Sequence, residues 1–588
     1  MSKNTRPDRR KEMMKTGAEI FVECLKKEKV EVIFGIPGGS VIPIFDQIYL
    51  SKLKVILTRH EQGAAHMADG YARASGKVGV CIATSGPGAT NLTTGLATAY
   101  MDSVPLVAFT GQVATNLIGN DAFQEADTTG ITRPITKHNF LVKDVRELAT
   151  IIRQAFYIAA SGRPGPVLVD IPVDVQRASA EFIWPEKIDI RSYHPNYKGH
   201  LMQIKKAAEA INNSQHPVIY AGGGVIWSGA SRELVELSRI ADIPTTVTLM
   251  AIGAYPPDSP RYLGMLGMHG TYWANMAMQN ADVIVAVGAR FDDRCTGKLT
   301  AFAPQAHTII HIDIDPTSIS KNVSADIPVV GDARQVLGEL LKLVKKNQHT
   351  DWLKMIDGWR KKNPLVYKDD EKLRPQYVVE KISELTGGEA IVTTEVGQNQ
   401  MWAAQFYRAR YPRHFLSSGG LGTMGYGFPA AIGAKFANPD KLVIDIAGDG
   451  SIQMNIQELA TAVLNNVEVK IIILNNSYLG MVRQWQEMFY NRHYSAVCLH
   501  KGADCPPDCN RPGQKNCPGY VPDFVKLAQA YGASGYRVNK KKDVVPVLKE
   551  VLNNKKLTIV EFVVEPEENV LPMVPAGKAL DEVITSLA

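Results

Sequence analysis

Short apolar runs rich in Val, Ile and Ala punctuate the chain, and the stretches between them carry apolar residues at helical spacing. A first block holds Val32–Phe34, Lys54–Leu57, Val78–Ala83, Leu106–Phe109 and Val167–Ile171. A second holds Val218–Ala221, Thr245–Leu249, Val283–Val287 and Thr308–Ile312, and a third Ala390–Thr393, Leu442–Ile446, Lys470–Leu474 and Thr558–Val563. Strands alternating with helices predict βαβ units, hence an α/β fold of three domains, each a parallel sheet flanked by helices. The polar, proline-bearing stretches Pro172–Asn196 and Lys346–Pro375 read as linkers, giving domains over 14–185, 196–346 and 375–588. Ligands of such sheets bind at the carboxyl ends of the strands, so the chemistry is expected there.

Composition narrows the classes. A chain of 588 residues is too long for one core, and 45% hydrophobic with 21% charged residues is ordinary for a globular protein. A net charge of +6, spread along the chain, gives no case for nucleic acid, and the basic cluster Arg6–Lys15 reads as a solvated arm. No apolar run reaches the ~18 residues of a membrane span, and no signal-peptide core precedes the folded pattern, so a cytoplasmic enzyme is expected. Seven cysteines are too few for a disulfide scaffold.

The segment Leu442–Gly480 reads strand, GDGS turn, helix, strand and then Asn475-Asn476. Asp449 and Asn476, at the carboxyl ends of two parallel strands, can converge in one crevice. Their oxygens suit Mg²⁺, which binds a few protein oxygens and completes its shell with water and phosphate. Gly448 and Gly450 let the backbone approach a phosphate, and the helix that follows favours negative charge. An ordinary tight turn is the plainer reading. Gly420–Gly425 matches GxGxxG, but the next strand ends in Ala447 and the GDGS turn, not in the acidic residue a nicotinamide site needs.

GDGS followed by NN resembles the thiamine diphosphate signature, and from about Lys15 onward the chain resembles the catalytic subunits of the acetohydroxyacid synthase (acetolactate synthase) family. The resemblance is carried by FGIPGGS at Phe34–Ser40, RHEQGAAHMADGYAR at Arg59–Arg73, SGPGATN at Ser85–Asn91, GARFDDR at Gly288–Arg294, GGLGTMGYGFPAAIGAK at Gly419–Lys435 and GMVRQWQEMFY at Gly480–Tyr490. It implies three domains: an N-terminal pyrimidine-binding one, a central FAD-binding one, and a C-terminal one that binds diphosphate and Mg²⁺ and carries a lid. It implies that Asp449, Asn476 and the Tyr478 carbonyl hold Mg²⁺, and that Gly397, Gln398, Gly422, Met424, Gly448, Gly450 and Ser451 line thiamine diphosphate. FAD is implied at Arg163, Gly222, Gly223, Gly224, Thr248, Leu249, Leu266, Gly267, Met268, His269, Gly288, Arg290, Asp292, Asp313, Ile314, Asp332 and Ala333. From the residues alone, Gly222–Gly224 and Gly288 are equally well tight strand–helix turns.

The implied activity joins a two-carbon unit from pyruvate to pyruvate or 2-oxobutyrate, giving 2-acetolactate or 2-aceto-2-hydroxybutyrate on the route to branched-chain amino acids. Glu61 would promote the reactive tautomer of the cofactor's aminopyrimidine, from a second subunit. On local sequence, Thr58–Glu61 is also a T-x-x-E capping box. Phe123 and Gln124 resemble residues that reach the reaction centre from the neighbouring subunit, Arg294 one beside the substrate carboxylate, Trp485 one favouring 2-oxobutyrate, and Met424 the wedge that bends the cofactor. Core packing is the alternative for Met424 and Trp485. The family's Pro-Lys-Asp is here Pro172-Val173-Asp174. A homodimer or homotetramer with a separate small regulatory subunit is implied, the flavin taking no part in redox. A pyruvate oxidase-like flavoenzyme and a cofactor-binding protein without turnover are the rival readings.

Between the family-like NRHYS and VPDFVKLAQAYG lies Cys498–Tyr520, with Cys498, Cys505, Cys509 and Cys517 spaced C-x6-C-x3-C-x7-C among prolines and glycines. A tetrahedral zinc or iron–sulfur site, free thiols on a loop, and disulfides are the three readings, the first taken as the expectation.

Overall fold

The computed structural model describes residues 14–506, 509 and 517–586; most of the Arg6–Lys15 arm lies outside them. Three six-stranded sheets form, each from one contiguous stretch of chain and each parallel throughout. The first runs Lys54–Leu57, Val32–Gly35, Gly79–Ala83, Leu106–Gln112, Pro166–Pro172, His138–Leu141 in spatial order. The second runs Tyr262–Met265, Thr245–Val247, Pro217–Ala221, Val283–Val287, Thr308–Asp313, Ile327–Val330. The third runs Phe415–Leu416, Ile391–Thr394, Val443–Gly448, Val469–Asn475, Thr558–Val563, Ser534–Val538.

Numbered by chain order within each sheet, the first and third share the order 2-1-3-4-6-5, whereas the second is 3-2-1-4-5-6, the arrangement that binds dinucleotides where the order reverses. A short antiparallel ribbon, Met14–Thr16 with Ser179–Glu181, ties the two ends of the first block together.

The central strands are buried on both faces, which is why they read as continuous apolar runs. The first and third blocks share a core through two small-residue helices, Glu61–Ser75 and Gly427–Ala437. A Cβ on Gly70 would lie 2.2 Å from the Ala430 carbonyl oxygen, and one on Gly433 1.9 Å from that of Met67. The helices touch backbone to backbone. Among the described residues no helix is long and apolar enough to cross a membrane.

Two local expectations need correction. The helix at Glu61 does not start with a Thr58 capping box: its N-cap is His60, whose ring accepts from the Gln62 amide, and the buried Thr58 hydroxyl has no partner. Thr58 still belongs to the sheet, its amide donating to the Gly35 carbonyl, so it stands outside the helix. After the GDGS turn the chain makes a 3₁₀ turn, Ile452–Asn455, before the short helix Glu458–Leu464, so no α-helix begins at the turn itself.

Candidate active site

The third sheet reverses its order between Ile391–Thr394 and Val443–Gly448, and the crevice at their carboxyl ends is flanked by Gly397-Gln398 and Gly448-Asp449. Gly397 sits at φ +150°, a conformation open to glycine. The next strand, Val469–Asn475, pairs Leu474 with Gly448 and so delivers Asn476 beside Asp449.

Asp449 is buried, and burial pushes its carboxyl up to about 7, against hydrogen bonds from the Tyr520 hydroxyl and from backbone amides including those of Asn476 and Ser477. The Asn476 side-chain amide donates to Gln398 Oε1 at 2.9 Å while its oxygen accepts from the Tyr478 amide at 3.1 Å. A Cβ on Gly480 would lie 2.2 Å from that Gln398 oxygen, so a side chain there would push Gln398 away from Asn476. A carboxylate, an amide oxygen and the peptide carbonyls of this turn make a hard-oxygen donor set that fits Mg²⁺. A buried acid held by neutral donors is ionised at low cost once it coordinates a cation.

Beside these residues lies a cavity of ≈ 660 Å³. Gly397, Gln398, Gly422, Met424, Gly448–Ser451, Asn476, Tyr478 and Trp485 line it from the third block, and Thr248, Leu249, Leu266, Met268, His269, Arg290, Asp292 and Arg294 from the second. Thr248 Oγ1, His269 Nδ1 and Trp485 Nε1, all on this wall, are buried without a protein partner. Buried polar atoms are rarely left so, and these belong to residues that line space a ligand can fill. Arg294 lies over the Trp485 ring, 5.9 Å from its centroid, so two of the predicted substrate residues meet although they come from different blocks. Gly267 lines neither cavity described here. At φ +104°, with a Cβ 2.2 Å from the Arg294 carbonyl oxygen, it lets the Met268 amide donate to that carbonyl and fixes the arginine's backbone.

A second cavity, ≈ 330 Å³, opens where the second sheet reverses its order. Arg163, Gly222–Gly224, Thr248, Gly288, Arg290, Asp292, Asp313, Ile314, Asp332 and Ala333 line it. Arg163, Thr248, Arg290 and Asp292 border both cavities, which makes one extended trough suited to a dinucleotide. Gly222 and Gly224 serve packing as well: their Cβ atoms would lie 2.1 Å from Gly288 O and 2.7 Å from Gly288 Cα. Burial raises the Asp313 carboxyl to about 6.

Glu61, Phe123 and Gln124 line neither cavity. They gather elsewhere in the chain: Glu61 Oε2 accepts from Asn91 Nδ2 at 2.9 Å, and the SGPG loop joins the two parts. A Cβ on Gly88 would sit 3.4 Å from Glu61 Oε1, and one on Gly86 2.9 Å from the Gln124 carbonyl oxygen. Phe123 is 89% exposed, an unusual position for a large apolar side chain unless another surface covers it. One chain thus presents two separate half-sites.

The GxGxxG loop is organised by the first block. Asp102 accepts from the amides of Gly419 and Gly420 at 3.1 and 2.7 Å and is held by Arg73 at 2.8 Å. It is a shaped wall of the large cavity and not a dinucleotide turn.

The chain matches three family models: "Thiamine pyrophosphate enzyme, N-terminal TPP binding domain" over residues 15–131, the "central domain" of the same enzymes over 204–340, and their "C-terminal TPP binding domain" over 395–562. It is 48% identical over 583 residues to the acetolactate synthase isozyme 3 large subunit of Escherichia coli, covering 97% of this chain and 98% of that one. The chain belongs to the acetolactate synthase family. It is also 50% identical over 579 residues to acetolactate synthase of Mycobacterium leprae, spanning 97% and 90% of the two chains. To the probable acetolactate synthase large subunit of Methanocaldococcus jannaschii it is 50% identical over 582 residues, spanning 97% and 95%. Likeness over the whole length covers both half-sites and the trough.

The cysteine expectation fares differently. Among the described residues no three His, Cys, Asp or Glu side chains are arranged to hold a metal ion. Cys498, Cys505 and Cys517 carry free thiols, Cys498 is paired across a bridge with Tyr478, and Cys505 Sγ accepts from the Gly502 amide. The two-ended attachment of this segment, through His500 and Tyr520, carried no signal in the sequence beyond its position. Asn91 lay inside a noted motif, but only the fold shows that it holds Glu61.

Proposed function

We propose that this chain is an acetolactate synthase catalytic subunit, with domains over 14–185, 196–346 and 375–588. It takes pyruvate, releases CO₂ and joins the remaining two carbons to a second pyruvate or to 2-oxobutyrate. The observation that carries the reading is the convergence of Asp449, Asn476 and the Tyr478 turn at the switch point of the third sheet, in a chain alike over its whole length to acetolactate synthases. Thiamine diphosphate, when bound, supplies the nucleophilic carbon that adds to the ketoacid and accepts the electrons left by CO₂.

Asp449, Asn476 and the Tyr478 carbonyl hold Mg²⁺ on the diphosphate, and Gly448 and Gly450 leave room for its oxygens. Met424 shapes the wall beneath the cofactor. Glu61 holds a proton at the pyrimidine ring nitrogen. Burial favours that task, since water would otherwise compete for the same atom. Arg294 pairs with the substrate carboxylate at the mouth of the cavity. Trp485 forms the apolar wall against the acceptor's alkyl group, where one methylene is worth about 1–3 kcal/mol. The trough along the second block would hold FAD, and because the condensation has no net redox change, the flavin would act as structure.

Glu61 lies outside the cavity that Asp449 lines, so the reading requires at least a homodimer in which Glu61, Phe123 and Gln124 of one subunit close the cavity of the next. Burial of Phe123 in that contact accounts for its exposure in a single chain. Two of the three relatives cited are named large subunits, and a separate small regulatory chain goes with the proposal. The test is incubation of purified protein with pyruvate, thiamine diphosphate and Mg²⁺. Acetolactate is the expected product. Consumption of oxygen or a quinone in its place would transfer the chain to the oxidase reading, and no turnover of pyruvate would overturn the proposal.

A further inference from the structure

The cysteine-rich segment is fastened at both described ends to the turn that carries the proposed metal ligands. At its start, the Leu479 amide donates to the Val497 carbonyl and the Leu499 amide to the Ser477 carbonyl, each at 2.9 Å, which sets Cys498 opposite Tyr478 in an antiparallel bridge. Ser477, between Asn476 and Tyr478, sits at φ +64°, a left-handed conformation that costs a serine of order 1 kcal/mol or more unless its surroundings impose it. Those surroundings are here: the Leu499 amide on its carbonyl, Asn475 Oδ1 accepting from its amide at 2.9 Å, and His500 Nε2 at 3.0 Å from its hydroxyl. The other ring nitrogen of His500 is 3.0 Å from the Pro518 carbonyl. That carbonyl can only accept, so Nδ1 donates to it and Nε2 faces the Ser477 hydroxyl, which also lies 3.3 Å from Asn475 Oδ1.

At the far end, the Tyr520 hydroxyl donates to Asp449 Oδ2 at 2.8 Å. Gln453 spans the same pair, donating to the Asp449 carbonyl at 2.9 Å and to the tyrosine oxygen at 3.4 Å. The tyrosine ring is gripped edge-on by His500, with centroids 5.0 Å apart, and leans on Phe524 at 5.9 Å. Tyr520 engages one carboxylate oxygen, and with the backbone amides of Asn476 and Ser477 that also reach the carboxyl it fixes the rotamer.

We propose that Tyr520 and His500 are positioning residues of the Mg²⁺ site, Tyr520 orienting the Asp449 carboxylate and His500 holding the Ser477 turn between the other two ligands. The described ends of the cysteine-rich segment then brace the metal-binding turn. The inference rests on the proposed function for the identity of the cation. Partners that hydrogen-bond a ligating carboxylate set its orientation, and removing one typically weakens metal binding about 10–100-fold.

The experiment titrates Mg²⁺ into apo-protein saturated with thiamine diphosphate, followed by calorimetry, for the native chain and for Tyr520→Phe and His500→Gln. Phenylalanine keeps the ring contacts and removes only the hydroxyl. Gln can still donate to Pro518 but cannot place an acceptor on Ser477 with the same reach. Tyr520→Phe is expected to keep the native circular-dichroism spectrum and apo thermal midpoint, to bind Mg²⁺ at least tenfold more weakly, and to regain most of its turnover at saturating Mg²⁺. His500→Gln shifts Mg²⁺ binding in the same direction. A shift of less than threefold in both variants overturns the inference. If the native chain itself takes up neither Mg²⁺ nor thiamine diphosphate, it is the proposed function that falls.

Discussion

Replacing Glu61 by Gln separates chemistry from architecture more cleanly than any other single change. The helix it begins is capped by His60, and the amides of Arg59 and His60 are taken by Glu458 at 3.0 and 2.9 Å, so the carboxylate of Glu61 satisfies no helix donor. That carboxylate accepts from Asn91 Nδ2 at 2.9 Å. Glutamine retains an oxygen for that bond, so the stability loss is the difference between a charged and a neutral acceptor, about 1 kcal/mol. What glutamine cannot do is hold and return a proton at the cofactor's ring nitrogen, a function worth roughly 10²–10⁴ in rate. The assay pairs acetolactate formation at saturating pyruvate with the thermal midpoint and with thiamine diphosphate binding by calorimetry. Turnover should fall at least a hundredfold (about 3 kcal/mol of transition-state stabilisation) while midpoint and cofactor affinity stay near native. Turnover within tenfold of native, with the cofactor bound, would refute the reasoning and return Glu61 to a structural role.

Thr58→Val removes a buried hydroxyl without a partner, so the thermal midpoint should hold or rise; a fall equivalent to about 1 kcal/mol would restore the capping reading. Gly433→Ala drives a methyl onto the Met67 carbonyl and should cost about 1–3 kcal/mol or more by parting two helices that join the first and third blocks, read as a lowered midpoint; an unchanged midpoint would contradict that contact. Burial raises the Asp170 carboxyl to about 7. The folded chain therefore keeps that proton while the unfolded chain releases it, and this contribution to stability is lost as pH rises from about 4 to 7. Asp170→Asn should flatten the fall in thermal midpoint over that window, whatever its effect at a single pH; an equal slope in both proteins would show that Asp170 ionises normally.

The expected strands that the structure contains are mainly the central ones, and those that escaped the sequence lie at sheet edges: His138–Leu141, Tyr262–Met265, Ile327–Val330 and Ser534–Val538. Edge strands are covered on fewer sides: Tyr262–Met265 and Ile327–Val330 alternate between buried and half-exposed, His138–Leu141 and Ser534–Val538 are mostly half-exposed, and none leaves a continuous buried run. The GDGS and Asn-Asn motifs were legible because strand ends and turns are local, and the sheet order that puts them side by side follows from βαβ connection. The false capping box had the right spacing. It failed because the Thr58 amide is already given to the Gly35 carbonyl, and the Arg59 and His60 amides that follow go to Glu458, nearly four hundred residues away in the chain. The same limit hid Asp102 on the Gly419 and Gly420 amides, Asn91 on Glu61 and Tyr520 on Asp449. In each case an ordinary polar residue acquires its task only through long-range packing. The cysteines drew the expectation of a metal by their residue type, whereas the contacts visible among the described residues are made by the segment's histidine and tyrosine.

The account's central claim is that one chain supplies Glu61 and the other Asp449 to a single carboligating site. Coexpression of Glu61→Gln and Asp449→Asn chains, each with its own affinity tag, gives mixed dimers that can be isolated by sequential purification and assayed for acetolactate from pyruvate. Each variant alone should be nearly inactive. In the mixed dimer one site combines native Glu61 with native Asp449 and the other carries both changes, so about half of the native turnover per dimer is expected. Mixed dimers no more active than either parent would contradict a shared site.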